Sequence, residues 1–295
     1  MNPVLKGLYA DPDIIKDGDT YYIYPTSDGY EGWGGWQFYV FASKDLKNWE
    51  NKGKILDFHQ GDVPWAKECA WAPCTLSRNG KFYFFFCGKG DDGVSSIGVA
   101  VSDSPVGPFK AKNTPVVTID MVRARGIENF WQAIDPSVYT EGDKSYLLFG
   151  NGAPVIAELN EDCTSINEDT MRKIEGAEDF REAITVLKRG ELYHFTWSCD
   201  DTGSENYHIN YGTSKSLFGP IEYKYPVLEK NKELNILGTG HHSILKDNEN
   251  YYIAYHRFGT PLEKYPEGKG FHRETCIDKL TFGVDGYMEK VSVTN

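Results

Sequence analysis

The chain lacks any cysteine pair at C-x-x-C spacing. Its six cysteines, at 69, 74, 87, 163, 199 and 276, also form no Cys/His cluster at zinc spacing. They read as free thiols buried in a protein of a reducing compartment. There is no basic run to offset a formal net charge of −12, which excludes nucleic acid and anionic membrane surfaces as partners. No apolar segment is long enough to span a bilayer. The start, Met1 through Asn2-Pro3-Val4-Leu5, shows no basic segment followed by an apolar one. A cytoplasmic protein is expected, or a secreted one whose leader lies outside this sequence. No stretch carries a sustained helical period with caps, so a helical domain is not expected. What is abundant is aromatic: 14% of 295 residues, 19 of them tyrosine, within a hydrophobic share of 40%. Aromatic residues favour pleated, half-buried surfaces, which points to an all-β chain with a substantial core.

One pattern recurs five times, a polar turn followed by a short aromatic strand. The turns are Lys16-Asp17-Gly18-Asp19-Thr20, Arg78-Asn79-Gly80-Lys81, Glu141-Gly142-Asp143-Lys144, Lys188-Arg189-Gly190-Glu191 and Lys246-Asp247-Asn248-Glu249-Asn250. Asp, Asn and Gly tolerate positive φ, so each turn predicts a tight hairpin. The strands that follow begin at Tyr21, Phe82, Tyr146, Tyr193 and Tyr251, which lie 61, 64, 47 and 58 residues apart. That period suits one four-stranded propeller blade plus a variable loop. The expectation is a single domain over residues 1–295, a five-bladed β-propeller.

Propeller sites form where the innermost strands meet at the axis. The inner strand precedes the hairpin, so its axial residue should lie about ten positions before each anchor. Asp11 and His241 lie 10 before theirs, and Trp71, Asp135 and Glu182 lie 11 before theirs. Three carboxylates, a Trp and a His therefore share one phase of five blades and are expected to converge on one funnel. Asp11-Pro12 and Asp135-Pro136 repeat the same pair in that phase, where proline removes an N–H and restricts the backbone. Two carboxyls flanking a glycosidic bond suffice for its hydrolysis, one protonating the leaving oxygen and the other activating water. A third can hold the acid in place and raise its pKa by like-charge repulsion.

At these residues the chain resembles glycoside hydrolase family 43, whose members are five-bladed propellers with an inverting mechanism. The likeness runs through Ala10-Asp11-Pro12-Asp13, Trp71-Ala72-Pro73, Ile134-Asp135-Pro136, Arg181-Glu182-Ala183, Gly240-His241-His242-Ser243, Tyr255-His256-Arg257 and His272-Arg273-Glu274-Thr275. The resemblance implies Asp11 as general base, Glu182 as general acid and Asp135 as the partner that orients the acid and raises its pKa. It also implies Trp71 beside the terminal sugar and Arg273 hydrogen-bonded to it. His241 would contact the sugar or face a structural calcium ion in the central channel; no other cofactor is implied. The partners implied are arabinose- or xylose-containing oligosaccharides. An exo-acting α-L-arabinofuranosidase is the first expectation, with a β-xylosidase or a bifunctional enzyme next. Two positions depart from the family pattern: Ala183-Ile184 follow Glu182 where Gly-Pro is common, and Cys74 stands where many relatives carry Asp. Xylosidase members usually add a C-terminal β-sandwich, which a chain of this length is not expected to hold.

Other features read as structure. Asp17, Asp19, Asp143 and Asp247 belong to hairpin turns, His59, His194 and His208 to packing, and Asp91-Asp92 and Asp200-Asp201 to solvated loops. Trp33 and Trp36, in a Gly-rich loop, fit sugar stacking and core packing equally, and Glu205 is a candidate rim residue. A fructosidase-type propeller would want Asn-Asp-Pro-Asn and Arg-Asp-Pro, which are absent, and Glu68-Cys69 lies out of phase. A sugar-binding propeller without catalysis would not need all three in-phase carboxylates.

Overall fold

The structure, a computed structural model, describes residues 2–266 and 269–295. The alternation of side chains along a strand explains its layers. Phe82, Phe84 and Phe86 point one way to Tyr24, Phe38 and Val40, whereas Tyr83 and Phe85 point the other way to Leu147 and Phe149. Both faces of such a strand are covered, so it reads as a continuous apolar run rather than a half-polar one. Repeating this arrangement stacks sheets face to face around a ring.

Five sheets result. The first holds β1 (Tyr9–Asp17), β2 (Thr20–Ser27), β3 (Gln37–Ser43) and β4 (Glu50–Asp57). The second holds β5 (Glu68–Arg78), β6 (Lys81–Lys89), β7 (Ser95–Ser102) and β8 (Lys110–Ala111). A six-residue helix, α1 (Ile119–Ala124), lies in the connection to the third sheet and is capped by the Thr118 side chain. That sheet holds β9 (Ser137–Glu141), β10 (Lys144–Phe149), β11 (Val155–Leu159) and β12 (Ile166–Lys173), and the fourth holds β13 (Glu182–Arg189), β14 (Leu192–Cys199), β15 (His208–Ser214) and β16 (Glu222–Leu228). The fifth has three strands among the described residues, β17 (Gly240–Asp247), β18 (Asn250–Phe258) and β19 (Arg273–Leu280). This is the five-bladed β-propeller that the repeat predicts. In every blade the first two strands are joined by a two-residue turn, and the first turn residue (Gly18, Asn79, Gly142, Gly190 or Asn248) has φ between 53° and 60°. Among the described residues no helix is long and apolar enough to cross a membrane.

The first strands β1, β5, β9, β13 and β17 all line one central channel. At the same point of each inner strand the backbone turns left-handed, at Asp11 (φ 47°), Ala72 (46°), Asp135 (57°), Ala183 (56°) and His241 (39°). In four blades this coincides with a register shift in the pairing of the inner strand with the next. Such bulges re-aim side chains, and here they turn them towards one end of the channel. The functional residue is the left-handed one in blades 1, 3 and 5, and the residue before it in blades 2 and 4. That accounts for the offset of 11 in blades 2 and 4, while in blade 3 the same offset arises because Tyr146 is the third residue after its turn and the other anchors are the second.

The ring is closed where the last blade meets the first. The N-terminal segment lies along β19: Val4 N–H donates to Thr275 O at 2.9 Å, and the buried Asn2 amide receives Ile277 N–H at 2.9 Å and donates to Ile277 O at 3.2 Å. Asn2 also donates to Thr294 near the C-terminus. Asn2→Ala strands the Ile277 groups, and unfolding free energy is expected to fall by about 1–3 kcal/mol in urea titration. An unchanged midpoint would mean that this closure contributes no stability.

Candidate active site

A pocket of about 170 Å³ opens at the end of the channel where the bulges lie, and it is lined by Asp11, Trp71, Asp135, Glu182, His241 and Arg273 together. All six candidates therefore meet. The lining also includes Trp33, Gln132, Asn151, Arg181, Asp201 and Thr202. Trp36 does not join them; its indole stacks on His59, with centroids 4.6 Å apart. Glu205 is tied outward to Lys230 and Lys232.

The three carboxyls, each 5–9% exposed, are in different electrostatic states. Burial pushes Asp11 up, but Arg273, His241 and His256 overcome it and hold the carboxyl well below its ordinary value. Arg273 Nη1 donates to Asp11 Oδ1 at 3.0 Å, and His256 Nδ1 lies 2.9 Å from the same oxygen. The Asp11 amide N–H also donates to that nitrogen, at 3.3 Å. Asp135 goes the other way: burial, then the charges of Glu182 and Asp11, raise it well above the ordinary range. Glu182 is raised too, by burial, with Asp11 adding to the effect while Tyr207, Arg181 and Asn151 work against it. Asp11 is thus ionised under conditions where the other two carboxyls favour their protonated forms.

Arg273 is already committed. Its Nε and Nη2 form a fork on the buried Asp28 carboxylate at 2.9 and 3.0 Å, and its own amide donates to Asp28 at 2.8 Å. Its remaining arm serves Asp11 and, at 3.4 Å, Thr202. The residue expected to bind sugar therefore lines the pocket chiefly as the electrostatic partner of Asp11. Trp71 turns its N–H to Trp33 O at 2.6 Å, presenting its ring to the pocket.

The hydrogen bonds that orient Glu182 come from two residues the repeat did not mark. Tyr207 OH donates to Oε1 at 2.8 Å, and Asn151 Nδ2 donates to Oε2 at 2.7 Å. The Tyr207 ring stacks on His256 at 5.5 Å, so one path runs from Glu182 through these rings to Asp11. Gly240 makes room for it, since a Cβ there would sit 2.1 Å from the phenol ring.

His241 lies between two carboxylates, Nδ1 being 3.5 Å from Asp11 and 3.6 Å from Asp135. Burial lowers its pKa to about 4, so the ring is neutral. Towards the channel its neighbours are Asp13, Thr75, Ser137, His242 and Ser243. Asp13 is raised to about 7 by burial, against the Thr75 amide that donates to it. No group of three or more His, Cys, Asp and Glu side chains is placed to hold a metal among the described residues. Calcium takes six to eight oxygens, so an ion beside His241 would be held chiefly by water.

Residues 1–288 match the model of glycosyl hydrolases family 43. The chain is 30% identical over 310 residues to the beta-D-galactofuranosidase xynD of Aspergillus niger, covering 99% of this chain and 85% of that one. It is 25% identical to a xylosidase/arabinosidase of Bacteroides ovatus, covering 94% and 93%. Among solved structures it superposes on a β-xylosidase/α-arabinofuranosidase of this family from a compost microbial metagenome, in complex with xylotriose. The TM-score is 0.81 with 26% identity, over 99% of this chain and 97% of that one. The chain belongs to glycoside hydrolase family 43 and is a hydrolase of O-glycosidic bonds.

Tyr207→Phe keeps the ring stack and deletes one donor to the Glu182 carboxylate. The titration of Glu182, followed by NMR of carboxyl-labelled protein, is expected to move to higher pH. A shift to lower pH, or none, would show that the phenol does not stabilise the ionised form.

Proposed function

We propose that this family 43 hydrolase is an exo-acting β-D-xylosidase with α-L-arabinofuranosidase activity in the same pocket, working on hemicellulose oligosaccharides with inversion. The observation that carries the reaction is the split between the carboxyls: one held ionised by a guanidinium and an imidazole, the others raised by burial and mutual repulsion. Separated acid and base assignments of this kind are what hydrolysis by two carboxyls needs.

Asp11, on blade 1, is the base. It takes a proton from water as the oxygen attacks the anomeric carbon. Glu182, on blade 4 and across the axis, is the acid. Its proton passes to the glycosidic oxygen as the bond from the anomeric carbon to that oxygen breaks, and the new hydroxyl appears on the opposite face of the ring. The proton gained by Asp11 leaves to solvent and Glu182 regains one, restoring the pair. Asp135 is the neighbouring carboxyl, pushed up by burial and by the charge of Glu182, so the two do not favour ionising together. Trp71 and Trp33 form the apolar wall for the terminal sugar, and His241, neutral and between two carboxyls, is placed to meet a hydroxyl.

The arabinofuranosidase-first expectation gives way to a xylosidase with both activities for two reasons. A relative covering nearly the whole chain carries the double name xylosidase/arabinosidase, and a solved relative of the same double description holds xylotriose. The relative with the name galactofuranosidase adds a third sugar to test.

Initial rates on para-nitrophenyl β-D-xylopyranoside, α-L-arabinofuranoside and β-D-galactofuranoside are expected to rank in that order. Glu182→Gln should lower kcat on xylobiose by about 10²–10⁴-fold, with partial recovery on a 2,4-dinitrophenyl glycoside that needs no acid. Asp11→Asn should show no such recovery. A rate led by galactofuranoside would overturn the sugar assignment, and a Glu182→Gln enzyme of full activity would overturn the acid.

The dependence of kcat/KM on pH follows from the same shifts. Activity rises as Asp11 loses its proton, and that limb should lie below the ordinary carboxylate range because the folded pKa is depressed. It falls as Glu182 loses its proton, and that limb should lie above the range because the folded pKa is raised. A profile narrower than two unperturbed carboxyls would give contradicts the assignment.

A further inference from the structure

The pocket accounts for the sugar that is cleaved off, but not for the unit it leaves behind. In a hydrolysis by two carboxyls the leaving oxygen departs on the side of the acid, so the unit attached to that oxygen must rest against the wall beyond Glu182. That wall contains an aromatic residue which the reading above does not use. Trp131 is 55% exposed, unusual for so large an apolar side chain.

Two short paths join it to Glu182. Along one, Trp131 N–H donates to Asn151 O at 2.9 Å, and Asn151 Nδ2 donates to Glu182 Oε2. Along the other, the guanidinium of Arg181, the residue before Glu182, lies 5.5 Å from the centroid of the Trp131 ring. Arg181 is itself anchored at the mouth by Asp201, at 3.2 Å, and its Nε is 3.9 Å from Glu182 Oε2. The indole is seated closely on the backbone. Gly152 (φ 83°) passes beneath it where a Cβ would come within 2.6 Å of the ring, and Gly152 N–H donates to Arg181 O at 2.9 Å. A large apolar ring is thus held in place on the acid's side of the mouth while more than half of it remains open to solvent.

We propose that Trp131, with Arg181 beside it, is the binding platform for the leaving unit, and that this unit is a pyranose. The proposal rests on the assignment of Glu182 as the acid. A xylopyranose chair presents a flat face of C–H groups to an indole and has no exocyclic arm to lift it off, whereas a furanose is puckered and carries one. The Arg181 fork beside the ring offers donors to the hydroxyls at the edge of such a chair. The selectivity of the wall therefore favours a xylan-type chain over a chain of arabinofuranose on the leaving side.

The test compares xylobiose with β-D-xylosyl fluoride, whose leaving group is a single atom and cannot touch the platform. Trp131→Ala is expected to lower kcat/KM on xylobiose about tenfold and to leave the fluoride within about twofold. Trp131→Phe should recover most of the loss. Equal losses on both substrates, or none on xylobiose, overturn the proposal. A parallel titration of xylose and xylotriose into Glu182→Gln protein, with and without Trp131→Ala, reads the platform without catalysis. Xylotriose affinity should fall about tenfold and xylose affinity should hold; unchanged xylotriose affinity overturns the proposal. Absence of xylose and xylotriose binding even with Trp131 intact would instead refute the xylosidase reading, and with it the occupant named for this platform. A Glu182→Gln enzyme active on both substrates would remove the acid and the premise.

Discussion

The contact between Arg273 and Asp11 is the interaction on which the rest of the molecule depends. Asp11 comes from the first strand of the first blade and Arg273 from the last strand of the last blade, so the pair spans the seam of the ring. The same guanidinium is forked onto Asp28, at the loop that follows β2, which adds a second link across the seam. Two carboxylates and one guanidinium, each nearly inaccessible to water, would be costly to bury apart. They are tolerable only when joined, and joining them requires that the propeller close. The state of the candidate base is therefore a consequence of ring closure, and the fold and the chemistry share one contact.

A second constraint is repeated five times. Each inner strand reaches the mouth of the channel through a left-handed residue that is not glycine, among them a pair of aspartates followed directly by proline. Proline favours an extended conformation in the residue before it, and left-handed backbone at a residue with a Cβ costs about 1–2 kcal/mol. Neighbouring strands must hold the backbone there. The gain is direction: a regular strand would send alternate side chains to opposite blade faces, whereas the bulge turns one per blade towards the axis. Strain of this kind at the same point of every blade fits a site, since a stack built for stability alone would relieve it.

The phase of these bulges was legible in the chain because each sits at a nearly constant distance from a two-residue turn whose composition is distinctive. Asp11, Trp71, Asp135, Glu182 and His241 could be found by counting back from Gly- and Asn-containing turns. The one-residue difference between blades was visible too, but its cause in blades 2 and 4, a functional group on the residue before the left-handed one, was not. Tyr207, Asn151 and Asp28 were harder. They come from other strands and loops, Asn151 after β10, Tyr207 before β15 and Asp28 after β2, and no period relates them. Each resembles dozens of other polar and aromatic residues in the chain, and only the fold shows that their side chains reach Glu182 and Arg273. Arg273 was found, but its pairing with Asp28 and Asp11 was not, because a guanidinium with vacant donors and one with most of its donors engaged look alike in a sequence.

The proton on the acid needs no separate device. Asp11 and Asp28 already carry two negative charges against the single positive charge of Arg273, and His241 between the carboxyls is neutral. Ionising Asp135 and Glu182 as well would gather four carboxylates around one guanidinium in a buried mouth. Two like charges 4 Å apart repel by about 4 kcal/mol at an effective dielectric of 20, so the pocket resists each further ionisation. Arg181 relieves part of this, but it is one-third exposed and shared with Asp201. The donors from Tyr207 and Asn151 then have a specific meaning. They keep Glu182 from being raised so far that it could not release its proton, holding it between a carboxyl that has lost its proton and one that would not give it up. A general acid must sit between those limits, and here burial, the Asp11 carboxylate, the Arg181 charge and two hydrogen-bond donors together set the position.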